Sequence, residues 1–96
     1  MYGLIGKMLS VEGARDELLQ IMLGGMGKMP GCLSYVIARD PADLNALWVT
    51  EVWVSRELHQ GSLQLPAVQD TICRARPLIA GFGERFETEP VGGFGL

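Results

Sequence analysis

Residues 44–54, LNALWVTEVWV, constrain the fold of this chain more than any other segment. They are rich in Val, Trp and Thr, the composition of a strand. Alternate side chains of a strand leave on opposite faces. Ala46, Trp48, Thr50, Val52 and Val54 then share one side, and Leu47, Val49, Glu51 and Trp53 share the other. Both sides carry large apolar groups, so both need cover. With 96 residues the chain has room for one domain. Such a domain buries only about 60–70% of the surface its unfolded chain exposes. If helices cover one face, the other face points to a second subunit.

The rest of the chain supplies those helices. Residues 2–10 read as a strand. Over 14–27 the period changes, and Ala14, Leu18, Ile21, Met22 and Gly25 form one helical stripe. Gly24, Gly25 and Gly27 each cost a helix about 1 kcal/mol, which marks fraying or close backbone packing at its end. Met29-Pro30-Gly31 is a turn, and 32–39 a second strand. Asp40-Pro41-Ala42-Asp43 turns that strand into 44–54, giving an antiparallel hairpin. Ser55 is an N-cap for a short helical turn over 56–60, which Gly61-Ser62 interrupts. A longer helix is expected over 63–80, with Leu65, Val68, Ile72, Ala75 and Ile79 on one stripe and Pro77 kinking or ending it. Residues 82–89 read as a one-sided strand, with Phe82, Glu84, Phe86 and Thr88 together. Residues 91–96 form a Gly-rich tail.

The order is β-α-β-β-α-β. It belongs to the ferredoxin-like α+β fold, in which two helices cover one face of a four-stranded antiparallel sheet. The expected domain spans residues 1–90.

Several function classes recede. The net charge of -3 and the scattered basic residues argue against nucleic acid as a partner. No apolar run approaches the roughly 20 residues a membrane helix needs. MYGLIGKMLS is too short and strand-like for a signal peptide. Cys32 and Cys73 lie in apolar stretches without CxxC or zinc spacing. They read as buried free thiols of a cytoplasmic protein, with no metal site. No G-x-S-x-G elbow or Gly-rich phosphate loop precedes a helix.

His59 is the only histidine. An imidazole can take a proton from a phenol near neutral pH. It can equally hydrogen-bond Glu51 and fasten a helix to the sheet. Glu51 lies on an otherwise apolar side and needs a partner. It could orient His59, bind a substrate hydroxyl, or pair with an Arg across a dimer. Trp53 offers a flat wall to an aromatic ring or is plain core. Tyr35 could touch a bound ring through its hydroxyl or simply pack. Trp48 reads as core or dimer interface, Asn45 as hairpin geometry, and Arg74 and Arg76 as a solvated helix face. Met8, Met22, Met26 and Met29 could line a pliable pocket or fill core.

TEVWVSRELHQGS (50–62) resembles the E-x-W…H-x-x-S segment of the antibiotic-biosynthesis-monooxygenase family, which includes quinol monooxygenases. PGCLSYVIARDPADLNALWV (30–49) resembles that family's G-C-x-x-Y strand and hairpin. The resemblance covers about residues 1–90. It implies a dimeric α+β barrel, with two sheets face to face and a pocket between each sheet and its helices. It also implies oxidation of a small phenolic or quinol aromatic by O₂ in a homodimer, without metal, haem or flavin. His59 and Glu51 would then be catalytic, and Trp53 and Tyr35 would bind substrate. A haem-degrading branch of the superfamily carries an Asn on the first strand, then a Trp and an iron-ligating His in the second helix. Here Gly3 to Lys7 contain no Asn, His59 stands near the Trp position and Gln69 at the ligand position, so that reading is disfavoured. Two rivals remain on the same scaffold. One is a non-catalytic small-molecule-binding or stress-associated domain. The other is an isomerase or lyase acting on an enolisable substrate.

Overall fold

The computed structural model describes residues 1–25 and 29–96. Strand β1 (Tyr2–Ser10), helix α1 (Arg15–Gly24), strands β2 (Cys32–Arg39) and β3 (Ala46–Trp53), helices α2 (Arg56–Ser62) and α3 (Pro66–Ala75), and strand β4 (Ile79–Thr88) follow in that order. The strands form one sheet, β2-β3-β1-β4, with every neighbouring pair antiparallel. This is the expected ferredoxin-like α+β arrangement. Among the described residues no helix is long and apolar enough to cross a membrane.

Several boundaries differ from the sequence expectation. Strand β3 starts at Ala46, because Asn45 and Leu44 belong to the turn. The Asp43 carboxylate accepts the Asn45 N–H there, and Leu44 is 81% exposed. Helix α2 runs through Gly61-Ser62. The helix expected over 63–80 is shorter at both ends. Pro66 begins it, since the residue before a proline is driven out of helical geometry and Leu65 is extended. Pro77 ends it, and a 3-10 turn over Arg76–Leu78 hands the chain to β4, so Ile79 is a strand residue. The expected continuation of α1 to residue 27, and Met26 as a pocket residue, lie outside the described residues.

The two faces of β3 are as unlike as the alternation implies. Leu47 and Val49 pack with Leu18, Leu19 and Met22 of α1 and Ala75 of α3 in the buried core. Trp53 is also fully buried. Pairing places Met8, Gly6, Leu4 and Tyr2 of β1 beside Leu47, Val49, Glu51 and Trp53, and Tyr35 of β2 beside Glu51. These residues face the helices. Ile5, Lys7, Val36, Trp48, Thr50 and Val52 occupy the other face.

Strand β4 does not stay one-sided. Gly6 pairs with Arg85, but Met8 pairs with Phe82. Two steps along β1 thus match three along β4, which is a β-bulge. Phe82 therefore joins Met8 on the helix face, while Phe86, opposite Ile5, stays on the open face. The expectation that Phe82 and Phe86 share a face is corrected by this extra residue.

The hairpin end is fastened by two charged groups. One terminal nitrogen of Arg15 lies within hydrogen-bond distance of the carbonyls of Asp40, Asp43 and Ala46. The Asp40 carboxylate accepts the Trp48 indole N–H at 3.0 Å and the backbone N–H groups of Ala42 and Asp43, with the Lys7 ammonium 3.7 Å away. Led by the indole bond, these donors hold the Asp40 carboxyl below its usual range. Arg74 and Arg76 are exposed, as expected. Both cysteines are free thiols, but Cys73 is exposed on α3, contrary to the expectation of burial.

Candidate functional site

The functional geometry begins at a turn. Gly31 has φ +85°, a left-handed conformation that side chains disfavour. A Cβ there would also collide with Leu58. The glycine thus lets α2 lie close against the start of β2. The Ser55 side chain caps α2 by accepting the Leu58 N–H at 3.2 Å. One residue on, His59 leaves α2 toward the sheet, with only 14% of its side chain exposed. Its ring meets Trp53 edge-on at 5.3 Å and lies 5.7 Å from Tyr2.

Glu51 and Trp53 point the same way because they are two residues apart on β3. The Trp53 indole N–H donates to Glu51 Oε1 at 3.0 Å. His59 Nε2 is 3.8 Å from that same oxygen. This is an ion-pair distance when the imidazole is protonated, and too long for a hydrogen bond. One carboxylate oxygen is therefore oriented by the indole and faces the imidazole.

These groups open on a cavity of about 320 Å³ between the sheet and the helices. The four side chains expected at a catalytic or substrate-binding site, His59, Glu51, Trp53 and Tyr35, line it. Met8, Met22 and Met29 line it too, whereas Trp48 lies on the opposite face. The cavity is bounded on the helix side by α1 and α3, where Gly25 packs against Thr71. A Cβ at Gly25 would collide with that side chain. Phe82 and Thr71 are lining residues that sequence reasoning missed. The bulge hides the first. The second would be found only from the small-residue contact with Gly25.

Most of the lining is apolar, and this sets the protonation of Tyr35. Burial first, then the Glu51 carboxylate and the Cys32 sulfur, push the Tyr35 phenol far above the usual tyrosine range. Burial and Glu51 likewise raise the Cys32 thiol. Tyr35 is thus a neutral hydrogen-bonding group at the cavity wall, and Cys32 a protonated thiol. The folded state holds the Tyr35 proton more tightly than the unfolded chain does. Its stabilising contribution is complete below about pH 10 and is lost as pH rises through the folded-state value. In an ultraviolet titration, the Tyr35→Phe variant will lack the latest phenolate step. Its stability will also fall less steeply above about pH 10 than that of the wild type.

Among the described residues no group of three His, Cys, Asp or Glu side chains could hold a metal ion.

A family model described as antibiotic biosynthesis monooxygenase matches residues 1–73. A crystal structure from Chloroflexus aurantiacus J-10-fl, provisionally named an antibiotic biosynthesis monooxygenase, is 59% identical. The match covers 96% of this chain and 94% of that one, with a TM-score of 0.92. Structures provisionally given the same name from Caulobacter crescentus CB15 and Deinococcus radiodurans are 17% and 19% identical, with TM-scores of 0.84 and 0.78. They cover 95% and 98% of this chain and 90% and 96% of their own. At that identity they speak for the fold alone. No match is found among curated proteins.

Proposed function

This chain belongs to the antibiotic biosynthesis monooxygenase family, and from that premise we propose that it oxidises a small phenolic or quinol aromatic with O₂, without a cofactor. The observation that carries this reading is one apolar cavity that gathers His59, Glu51, Tyr35 and Trp53. Trp53 and Tyr35 would flank the ring. His59 would take the phenolic proton, with Glu51 Oε1 3.8 Å from its Nε2 to orient the ring. The resulting phenolate is electron-rich and reacts directly with oxygen. For a phenol, one oxygen atom enters the ring to give a quinone and the other leaves as water.

Oxygen uptake by metal-free protein across a panel of hydroquinones and phenols tests the reading. Uptake with stoichiometric quinone supports it, and no turnover on any member overturns it. The same panel under anaerobic conditions separates it from isomerase or lyase chemistry, which would proceed without oxygen.

The proposed working form is a cytoplasmic homodimer, with the open sheet faces packed together. Val36 and Phe86 on that face are 55% and 52% exposed in the single chain, beside Trp48 and Val52. Exposed apolar clusters of this kind mark interfaces. A Val36→Glu, Phe86→Glu double variant is expected to elute as a monomer where the wild type elutes as a dimer. Light scattering on both proteins checks this.

A further inference from the structure

A second chamber, of about 270 Å³, adjoins the first. The two share Met8, Tyr35, Glu51 and Phe82 as a common wall. Most of the remaining lining comes from the helix face of β1, β3 and β4, including Leu4, Gly6, Val49 and Arg85. We propose that this chamber is a subsite for the far end of an elongated phenolic ligand, and that Arg85 pairs there with a carboxylate on that end. The proposal rests on the first chamber being the phenol site.

Three features carry it. The first is space. Either chamber alone lies near the lower limit of small-molecule sites, about 300–1,000 Å³, whereas the pair lies well inside that range. The second is the floor. Gly6 sits mid-strand, where a glycine weakens the sheet and often marks a close approach to the backbone. A Cβ at Gly6 would meet nothing within 4 Å, so no protein group fills the place its side chain leaves. The third is charge. The β4 bulge puts Phe82 and Arg85 on the same face, where regular alternation would separate them. Arg85 donates to Glu87 at 3.4 Å, near the long limit, which leaves other guanidinium donors for a ligand. The other cation of the lining, Lys7, is committed to Asp40 and to the face of Trp48. Glu51 stands at the shared wall, beside the indole and the imidazole, and the carboxylate end of the ligand would point away from it.

Binding of phenol, 2-naphthol and 6-hydroxy-2-naphthoate, measured by calorimetry on the wild type, Gly6→Val and Arg85→Gln, tests the proposal. The space above Gly6 and the strand preference of valine let the first variant fold. In the wild type the naphthoate should bind about tenfold tighter than 2-naphthol, the effect of one charge-assisted hydrogen bond. Arg85→Gln should abolish that gain. Gly6→Val should raise the ratio of naphthol to phenol dissociation constants about tenfold, as a filled subsite demands. The proposal is overturned if the carboxylate brings no gain, if Arg85→Gln leaves the gain intact, or if Gly6→Val weakens all three ligands alike. These shifts without any hydroquinone turnover would sink the oxidation reading and leave the subsite standing. Turnover without the shifts would do the reverse.

Discussion

Replacing His59 with alanine is expected to lower the oxygen-dependent turnover of a hydroquinone by about 10²- to 10⁴-fold, the usual contribution of a positioned general base. His59 is the only imidazole of the chain and projects into the cavity that Tyr35 and Trp53 flank. Tyr35 cannot replace it, because its phenol is held neutral. The loss should fall mainly on kcat, since the ring-binding walls remain. Imidazole added to the variant should restore part of the rate by occupying the space vacated beside Glu51. Stopped-flow quinone absorbance and an oxygen electrode measure both. Equal turnover by the variant would remove His59 from the chemistry and leave it as a fastener between α2 and the sheet.

Truncating Trp53 to alanine should destabilise the protein by about 3–5 kcal/mol, the cost of emptying a large aromatic site. The side chain is 1% exposed, so almost none of its area is already in water. It also donates to Glu51 and packs against the His59 ring. Domains of this size are stable by only about 5–15 kcal/mol, so the variant retains little margin. Trp53→Phe keeps most of the volume but strips the donor from the carboxylate. It should cost about 1–3 kcal/mol, the penalty of leaving a buried acceptor unpaired. Urea unfolding curves of both variants give these values. A Trp53→Phe loss as large as that of Trp53→Ala would mean that the Glu51 hydrogen bond, and not packing, dominates.

Much of this arrangement was legible in the residues, for reasons that can be named. Strands β1 and β2 ended where glycine, proline and the change of period said they would. Glu51 and Trp53 could be placed on one face because an uninterrupted strand has a period of two. His59 could be placed near them because Ser55 fixes the start of α2. The failures occurred where one residue can serve two patterns. Ile79 fits the α3 stripe by spacing, yet Pro77 withdraws a backbone donor and the chain becomes strand. Gly61 would weaken a free helix, but α2 carries it through to Ser62, whose hydroxyl donates to the His59 carbonyl. Phe82 was misplaced because alternation propagates only while two strands advance in step. Nothing in FGERFETE announces the extra residue. The second chamber was invisible for the same reason, since its lining depends on that slip and on a glycine that contributes no side chain.

The bulge also makes β4 tolerant of a change in its length. Deleting Gly83 or Glu84 would let the strand run in step with β1. Phe82 would still pair with Met8 and Arg85 with Gly6, so every side chain on either side of the deletion would keep its face. What the deletion would remove is the local kink and the added twist of the strand, and Phe82 would stay at the cavity. Loss of one residue at this point is therefore a change that related chains could absorb without turning the outer half of the site inside out.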